Sequence, residues 1–180
     1  MIQFNLVARI NDDKNAFLDL VYTAYQLKIS GFEDFNILFI GGIYNKGIYQ
    51  NIVRMAELLK VSRQISLTMQ SVPIAALPEN IKAGFFVNFC VGEFIGYSGI
   101  ESIGMGFKNI FYNCDPALAA EANRYLNVCR NIDELIGLFK LIMNDCEGVS
   151  RQININAGLM KDAYALNEAD KKSLLSLLVP

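Results

Sequence analysis

A regular alternation of strand-like and helix-like segments limits the folds open to this chain more than any other feature of its sequence. The first pair is typical: FNLVARI at 4–10 is a short apolar run, and AFLDLVYTAYQLKI at 16–29 carries apolar residues at helical spacing. Four more strands are predicted at 35–42, 64–69, 85–91 and 109–114, two more helices at 47–61 and 131–145, and a short helical or irregular crossover at 75–84. Because parallel strands need crossover connections, which are usually helices, the alternation predicts a parallel sheet with helices on both faces.

The chain is therefore predicted to be α/β, with a Rossmann-like, doubly wound parallel sheet of about five to six strands. A single domain is predicted for residues 1–180, because this length supports one substantial core and the sequence contains no repeat or obvious linker. The segment 147–178 is predicted to be helical, packing on the sheet or on a neighbouring domain. Hydrophobic residues make up 53% of the chain, a fraction that suits a sheet covered on both faces.

Composition excludes several classes of function. The chain has no histidine, which rules out serine–histidine triads, histidine zinc sites and histidine general bases. A net charge of −2 gives no electrostatic reason to expect a nucleic-acid partner. The four cysteines are widely separated and lack C-x-x-C spacing, which indicates reduced thiols in a cytosolic protein. No apolar run approaches the roughly 18 residues of a membrane span and no signal peptide is visible, so a cytoplasmic location is expected.

Two cations follow the first predicted strand, in the segment ARINDDKN. Arg9 and Lys14 lie five positions apart in a polar turn that leads into a helix. Arginine offers a planar fork to phosphate oxygens, lysine offers a mobile point charge, and a helix N-terminus adds free N–H groups. We therefore expect an anion site at the carboxyl end of this strand. The alternative is a surface ion pair between Lys14 and Asp12 or Asp13.

The stretch VGEFIGYSGIESIGMG at 91–106 follows the fourth predicted strand and is rich in glycine. Seven residues separate Glu93 from Glu101, and carboxylates accept hydrogen bonds from vicinal hydroxyls such as those of ribose. Ser98 is predicted to cap the next helix, so that the N–H groups of that helix face the same sheet edge as Arg9. The alternative is purely structural, with Ser98 and Glu101 forming a capping box.

The order of these segments resembles the C-terminal, donor-binding domain of the retaining GT-B glycosyltransferases of the family 4, or group 1, type. ARINDDKN resembles the family's GRL…K segment, LFIGG its L.IVG.G motif, EFIGYSGIESIGMG its EGFG…EAMA.G motif with two glutamates, and FYNCD the strand and loop that follow. The similarity covers about residues 2 to 145. Two positions depart from the family pattern: Phe94 stands where glycine is usual, and Lys108 where proline is usual.

This resemblance implies a binding site for a nucleotide diphosphate sugar, UDP-, GDP- or ADP-linked, with no metal and no cofactor besides that donor substrate. Glu93 would be the catalytic residue, lying against the hydroxyls of the transferred sugar, and Glu101 would bind the ribose. The donor pyrophosphate would be held by residues from both segments, namely Arg9, Lys14, Gly96, Tyr97, Ser98 and Gly99.

The resemblance also implies transfer of the sugar with retention of anomeric configuration, in polysaccharide or glycolipid synthesis. The family's N-terminal acceptor-binding domain is absent from residues 1–180, so a further domain or a separate partner subunit would present the acceptor, which can be membrane-associated. The first alternative is a non-catalytic nucleotide-binding or interaction module of the same fold, which Phe94 favours. The second, a flavodoxin-like or response-regulator domain, lacks the acidic cluster or phosphate loop that it would need after the first strand.

Overall fold

The structure, a computed structural model, describes residues 1–12, 16–90, 97–113, 127–164 and 168–178. Its strands are β1 Ile2–Val7, β2 Phe35–Ile40, β3 Ile65–Leu67, β4 Phe85–Phe89, β5 Lys108–Tyr112 and β6 Val128–Cys129. Its helices are α1 Ala16–Ile29, α2 Lys46–Leu58, α3 Glu79–Lys82, α4 Tyr97–Gly104, α5 Ile132–Asn144, α6 Cys146–Tyr164 and α7 Glu168–Leu178, with a 3-10 turn at Ile74–Ala76. The strands form one parallel sheet in the order β3-β2-β1-β4-β5-β6.

The predicted α/β architecture with a doubly wound parallel sheet is confirmed. Helix α1 coincides with the predicted range 16–29, and α5 begins where its N-cap signature indicated: the Asn131 Oδ1 accepts a hydrogen bond from the Glu134 N–H at 3.0 Å. The predicted helical tail consists of α6 and α7. Strand β6 was not predicted, because a two-residue strand carries no periodicity of its own.

Both faces of the sheet are covered, as consecutive residues of β4 show. Side chains alternate between the faces of a strand, so Phe85 and Phe86 point in opposite directions, and each is at most 2% exposed. Phe85 belongs to the main core with Phe4 of β1 and Phe139 of α5. Phe86 packs on the other side with Ile74 of the 3-10 turn. The high apolar content of the sequence is thus largely a consequence of strands buried on both faces.

The strand order reverses at β1, which pairs with β2 on one side and with β4 on the other. Where the strand order of an open α/β sheet reverses in this way, the connections of the two neighbouring strands generally leave towards opposite faces, and a crevice forms beyond their carboxyl ends. In open α/β sheets this topological switch point is where ligands bind. The residues that follow β1, β2 and β4 are accordingly the ones that matter for function.

In the described part of the chain, no helix combines the length and the apolar character needed to cross a membrane.

Candidate functional site

Arg9 lies at the carboxyl edge of the sheet, on a backbone held by the last residue of β2 and by the loop that follows it. The Ala8 N–H donates to the Ile40 carbonyl, and the Ile10 N–H donates to the Gly42 carbonyl, each at 3.0 Å. Arg9 sits between these two bonded residues and is exposed. The chain thus holds an exposed guanidinium at the switch point, which is where the sequence placed an anion site.

The close approach of the two strand ends depends on Gly41. A Cβ added at this position would lie only 1.9 Å from the carbonyl oxygen of Ala8. The Gly41 N–H also donates to the Thr68 Oγ1 at 3.1 Å, which ties the loop after β3 to the same edge. The glycine pair that ends the second predicted strand therefore has a packing function beside any role in ligand binding.

Tyr44, in the β2–α2 loop, is a site residue that the sequence reasoning missed. The guanidinium carbon of Arg9 lies 5.6 Å from the centroid of the Tyr44 ring, within the range of a cation–π contact. The following residue, Asn45, caps α2 by accepting hydrogen bonds from the N–H groups of Gly47 and Ile48. These two N–H groups of the first turn of α2 are therefore already hydrogen-bonded within the protein. The signal in the sequence was the aromatic residue two positions after the glycine pair, in GGIYN.

Helix α4 begins at the carboxyl edge of β4, the strand that pairs with β1. Tyr97, Ser98 and Gly99 form its first turn, whose N–H groups have no acceptor within the helix. The prediction that Ser98 caps this helix is wrong: the helix already includes Tyr97, so Ser98 lies inside the first turn. Glu101 follows in the next turn and its side chain is exposed. The Arg9 segment and α4 thus follow two strands, β1 and β4, that pair with each other in parallel.

Buried polar side chains fix α4 against the sheet. Ser102 of α4 is fully buried, and its single O–H is shared between two acceptors, the Gly99 carbonyl at 3.0 Å and the Asn109 Oδ1. Asn109 of β5 also accepts from the Asn88 Nδ2 of β4 at 2.8 Å and donates to the Phe107 carbonyl at 2.9 Å. Because unsatisfied buried polar groups are costly, this network strongly favours one position of α4 along the sheet.

Three predicted site residues, Lys14, Glu93 and Gly96, lie outside the described residues, as does Phe94. The roles predicted for them stay predictions. Lys108, the other departure from the family pattern, begins β5 at the opposite, amino-terminal edge of the sheet. Its Nζ lies 4.4 Å from the centroid of the Phe85 ring, and burial lowers its pKa. The Lys108 position is therefore remote from the candidate site.

A buried tyrosine at the carboxyl end of β5 joins this strand to the first turn of α1. The Tyr112 hydroxyl donates to the Asp19 Oδ2 at 2.7 Å, and Tyr112 is 5% exposed. Burial raises the pKa of Tyr112, and the Asp19 carboxylate raises it further because it accepts the phenolic proton and repels a phenolate. This contact ties the start of α1 to the sheet.

The change Tyr112→Phe is expected to lower the free energy of unfolding by about 1.5–3 kcal/mol at pH 7, since it removes a hydrogen bond to a charged acceptor. The pKa is raised in the folded state, so this contribution is complete below the unfolded-state pKa of about 10 and is lost as the pH rises above it. Urea denaturation from pH 7 to 11 is expected to show the difference between the two proteins closing above pH 10. The exposed Tyr22 of α1 provides the control, Tyr22→Phe; a gap that stays constant with pH would contradict the prediction.

Comparison with known proteins identifies the fold. No family model matches the chain, and no curated protein matches its sequence significantly. Among solved structures, a glycosyltransferase from Rickettsia africae has a TM-score of 0.75 at 18% identity, covering 97% of this chain and 46% of its own. The Anabaena HepE protein, solved in complex with UDP and glucose, has a TM-score of 0.73 at 10% identity, covering 98% of this chain and 48% of its own.

A third solved structure is itself a single domain. The C-terminal domain of LpcC, a group 1 glycosyltransferase family protein from Francisella tularensis, has a TM-score of 0.68 at 13% identity and covers 92% of this chain and 87% of its own. The chain thus spans about half the length of the two longer structures. At these identities the similarity establishes a shared fold.

Proposed function

We propose that this chain is the donor-binding half of a glycosyltransferase, which binds a nucleotide diphosphate sugar and takes part in transfer of the sugar with retention of configuration. The observation that carries the proposal is the placement of Arg9 and the first turn of α4 on one edge of the neighbouring strands β1 and β4. The fold is shared with glycosyltransferases, and one protein with this fold was solved with UDP and glucose. Arg9 and the start of α4, which belong to two of the sequence motifs, follow the neighbouring strands β1 and β4, and ligands of open α/β sheets bind where such strands end; this supports the proposal.

In this proposal the chain's main catalytic contribution is electrostatic. Arg9, Lys14 and the first-turn N–H groups of α4 stabilise the charge that develops on the departing diphosphate, at a few kcal/mol per well-placed donor. Glu101 accepts hydrogen bonds from the ribose hydroxyls, and Glu93 from the hydroxyls of the transferred sugar. The departing phosphate itself takes the acceptor proton, so the reaction needs no histidine base, in keeping with a sequence that has none.

The acceptor site belongs to a part of the enzyme outside this chain. The two longer structures are about twice the length of the similar region, which supports an additional domain or a partner subunit on the far side of the crevice. We place the reaction in the cytoplasm, in polysaccharide or glycolipid synthesis, with an acceptor that can be membrane-associated. The nucleotide, and not a metal or another cofactor, is the small molecule that this half recognises.

The change Arg9→Ala is expected to weaken binding of UDP, GDP or ADP, whichever binds best, by about ten- to a hundredfold, the range of a charge-assisted hydrogen bond to phosphate. Binding of the corresponding nucleoside is expected to stay within about twofold, because the guanidinium meets only the diphosphate. Isothermal titration calorimetry measures both. Arg63, exposed just before β3 at the opposite sheet edge, provides the control Arg63→Ala. Equal loss in both variants, or no loss in Arg9→Ala, would contradict the assignment.

A further inference from the structure

Tyr44 is a large aromatic side chain with 65% of its surface exposed, yet its position is fixed. The Tyr44 and Asn45 N–H groups both donate to the Ile10 carbonyl, at 3.0 and 2.9 Å. The ring rests on the backbone of Gly42, where an added Cβ would lie 3.2 Å from the Tyr44 Cε2. Core packing does not explain an exposed ring held in this way.

The cation on this ring is the Arg9 guanidinium, whose carbon lies 5.6 Å from the ring centroid. Among the described residues, no carboxylate forms an ion pair with Arg9. A guanidinium beside an aromatic face is attracted by the ring's π electrons, an interaction that leaves its N–H donors unused and its charge not neutralised. An ion pair with a carboxylate would position the guanidinium equally well but would occupy the donors that a diphosphate needs.

We infer that Tyr44 is a positioning residue for the donor diphosphate: its ring, seated on Gly42, holds the Arg9 guanidinium beyond the carboxyl end of β1. The inference rests on the proposed function and adds to it a residue that supplies no charge and no hydrogen bond to the ligand. The effect expected from Tyr44 is therefore smaller than that of Arg9 and acts only through Arg9.

The test uses Tyr44→Leu, which removes the ring, and Tyr44→Phe, which keeps it. Tyr44→Leu is expected to weaken UDP binding about two- to fivefold, the size of an exposed cation–π contact, while Tyr44→Phe stays close to the unchanged protein. In the Arg9→Ala background, Tyr44→Leu is expected to add no further loss, because the two residues act as one unit. The side-chain Nε–Hε signal of Arg9, followed by NMR, is expected to lose its ring-current shift in Tyr44→Leu and to keep it in Tyr44→Phe.

The outcomes separate the inference from the proposed function. An Arg9 signal that does not respond to Tyr44→Leu, or a loss of UDP affinity that persists in the Arg9→Ala background, would overturn the positioning role alone. Unchanged UDP affinity in Arg9→Ala would overturn the diphosphate role of Arg9 and the role of Tyr44 with it. The positioning role would be established if UDP affinity fell in Tyr44→Leu, stayed close to normal in Tyr44→Phe, and fell no further when Tyr44→Leu was added to Arg9→Ala.

Discussion

Alanine in place of Gly41 is expected to destabilise the protein by about 3 kcal/mol or more, at the upper end of the cost of overpacking. The added Cβ would lie 1.9 Å from the carbonyl oxygen of Ala8, an overlap with backbone that no side-chain rotation relieves. The ends of β1 and β2 would have to move apart, and the loop that carries Arg9 would move with them. Urea denaturation followed by circular dichroism measures the loss.

Gly137 provides the matched control for that substitution. It is exposed within α5, and a Cβ there would meet no atom within 4 Å. Because alanine favours the helix and restricts the unfolded chain, Gly137→Ala is expected to raise the free energy of unfolding by about 0.5–1 kcal/mol. If both substitutions changed stability by a similar amount, the close contact between the ends of β1 and β2 would not be a constraint on this fold.

The change Phe4→Ala is expected to cost about 3–5 kcal/mol, the usual range for emptying a phenylalanine site in a core. Phe4 is fully buried at the centre of the sheet, where its ring stacks on that of Phe139 at 3.9 Å between centroids and on that of Phe85 at 5.6 Å. The substitution would leave a large cavity between β1 and α5, where the Phe4 ring packs on Phe139. The free energy of unfolding from urea titration gives the value.

Two further variants make the Phe4 measurement specific. Leu58 is 71% exposed at the end of α2, so Leu58→Ala is expected to change stability by about 0.5 kcal/mol or less. The double change Phe4→Ala with Phe139→Ala is expected to cost less than the sum of the two single changes, because each empties the same contact. If the losses in free energy of unfolding of the two single changes added fully in the double change, the two rings would contribute to stability independently.

Local sequence pattern was sufficient to predict most of the architecture. The helix 16–29 was predicted with its observed bounds, because its apolar spacing is uninterrupted between the polar residues on either side. Strand β6 was missed because it exists through pairing with β5, Phe111 opposite Val128 and Tyr112 opposite Cys129, and not through any property of its own two residues. The Ser98 cap was wrong because the helix extends past it, a boundary that periodicity does not fix.

The site was only partly predictable for a similar reason. Arg9 and the start of α4 were placed at one edge by the topology of parallel strands, a rule that needs only the order of elements. The contact between Arg9 and Tyr44, by contrast, joins segments 35 positions apart through the pairing of β1 with β2. The bond from Ser102 to Asn109 depends in the same way on how α4 lies against β5. No local motif encodes contacts that tertiary packing creates.

The most direct test of the proposed donor site is NMR mapping of backbone amide shifts while UDP, GDP and ADP are each added to the full chain. If the chain binds a nucleotide diphosphate at the switch point, one nucleotide is expected to shift the amides of Arg9, Gly42 and Ser98 in a saturable manner. The amides of Asp34 and Gly84, which precede β2 and β4 at the opposite edge, are expected to stay in place. Shifts confined to that opposite edge, or none with any of the three nucleotides at millimolar concentration, would contradict a donor site in this chain.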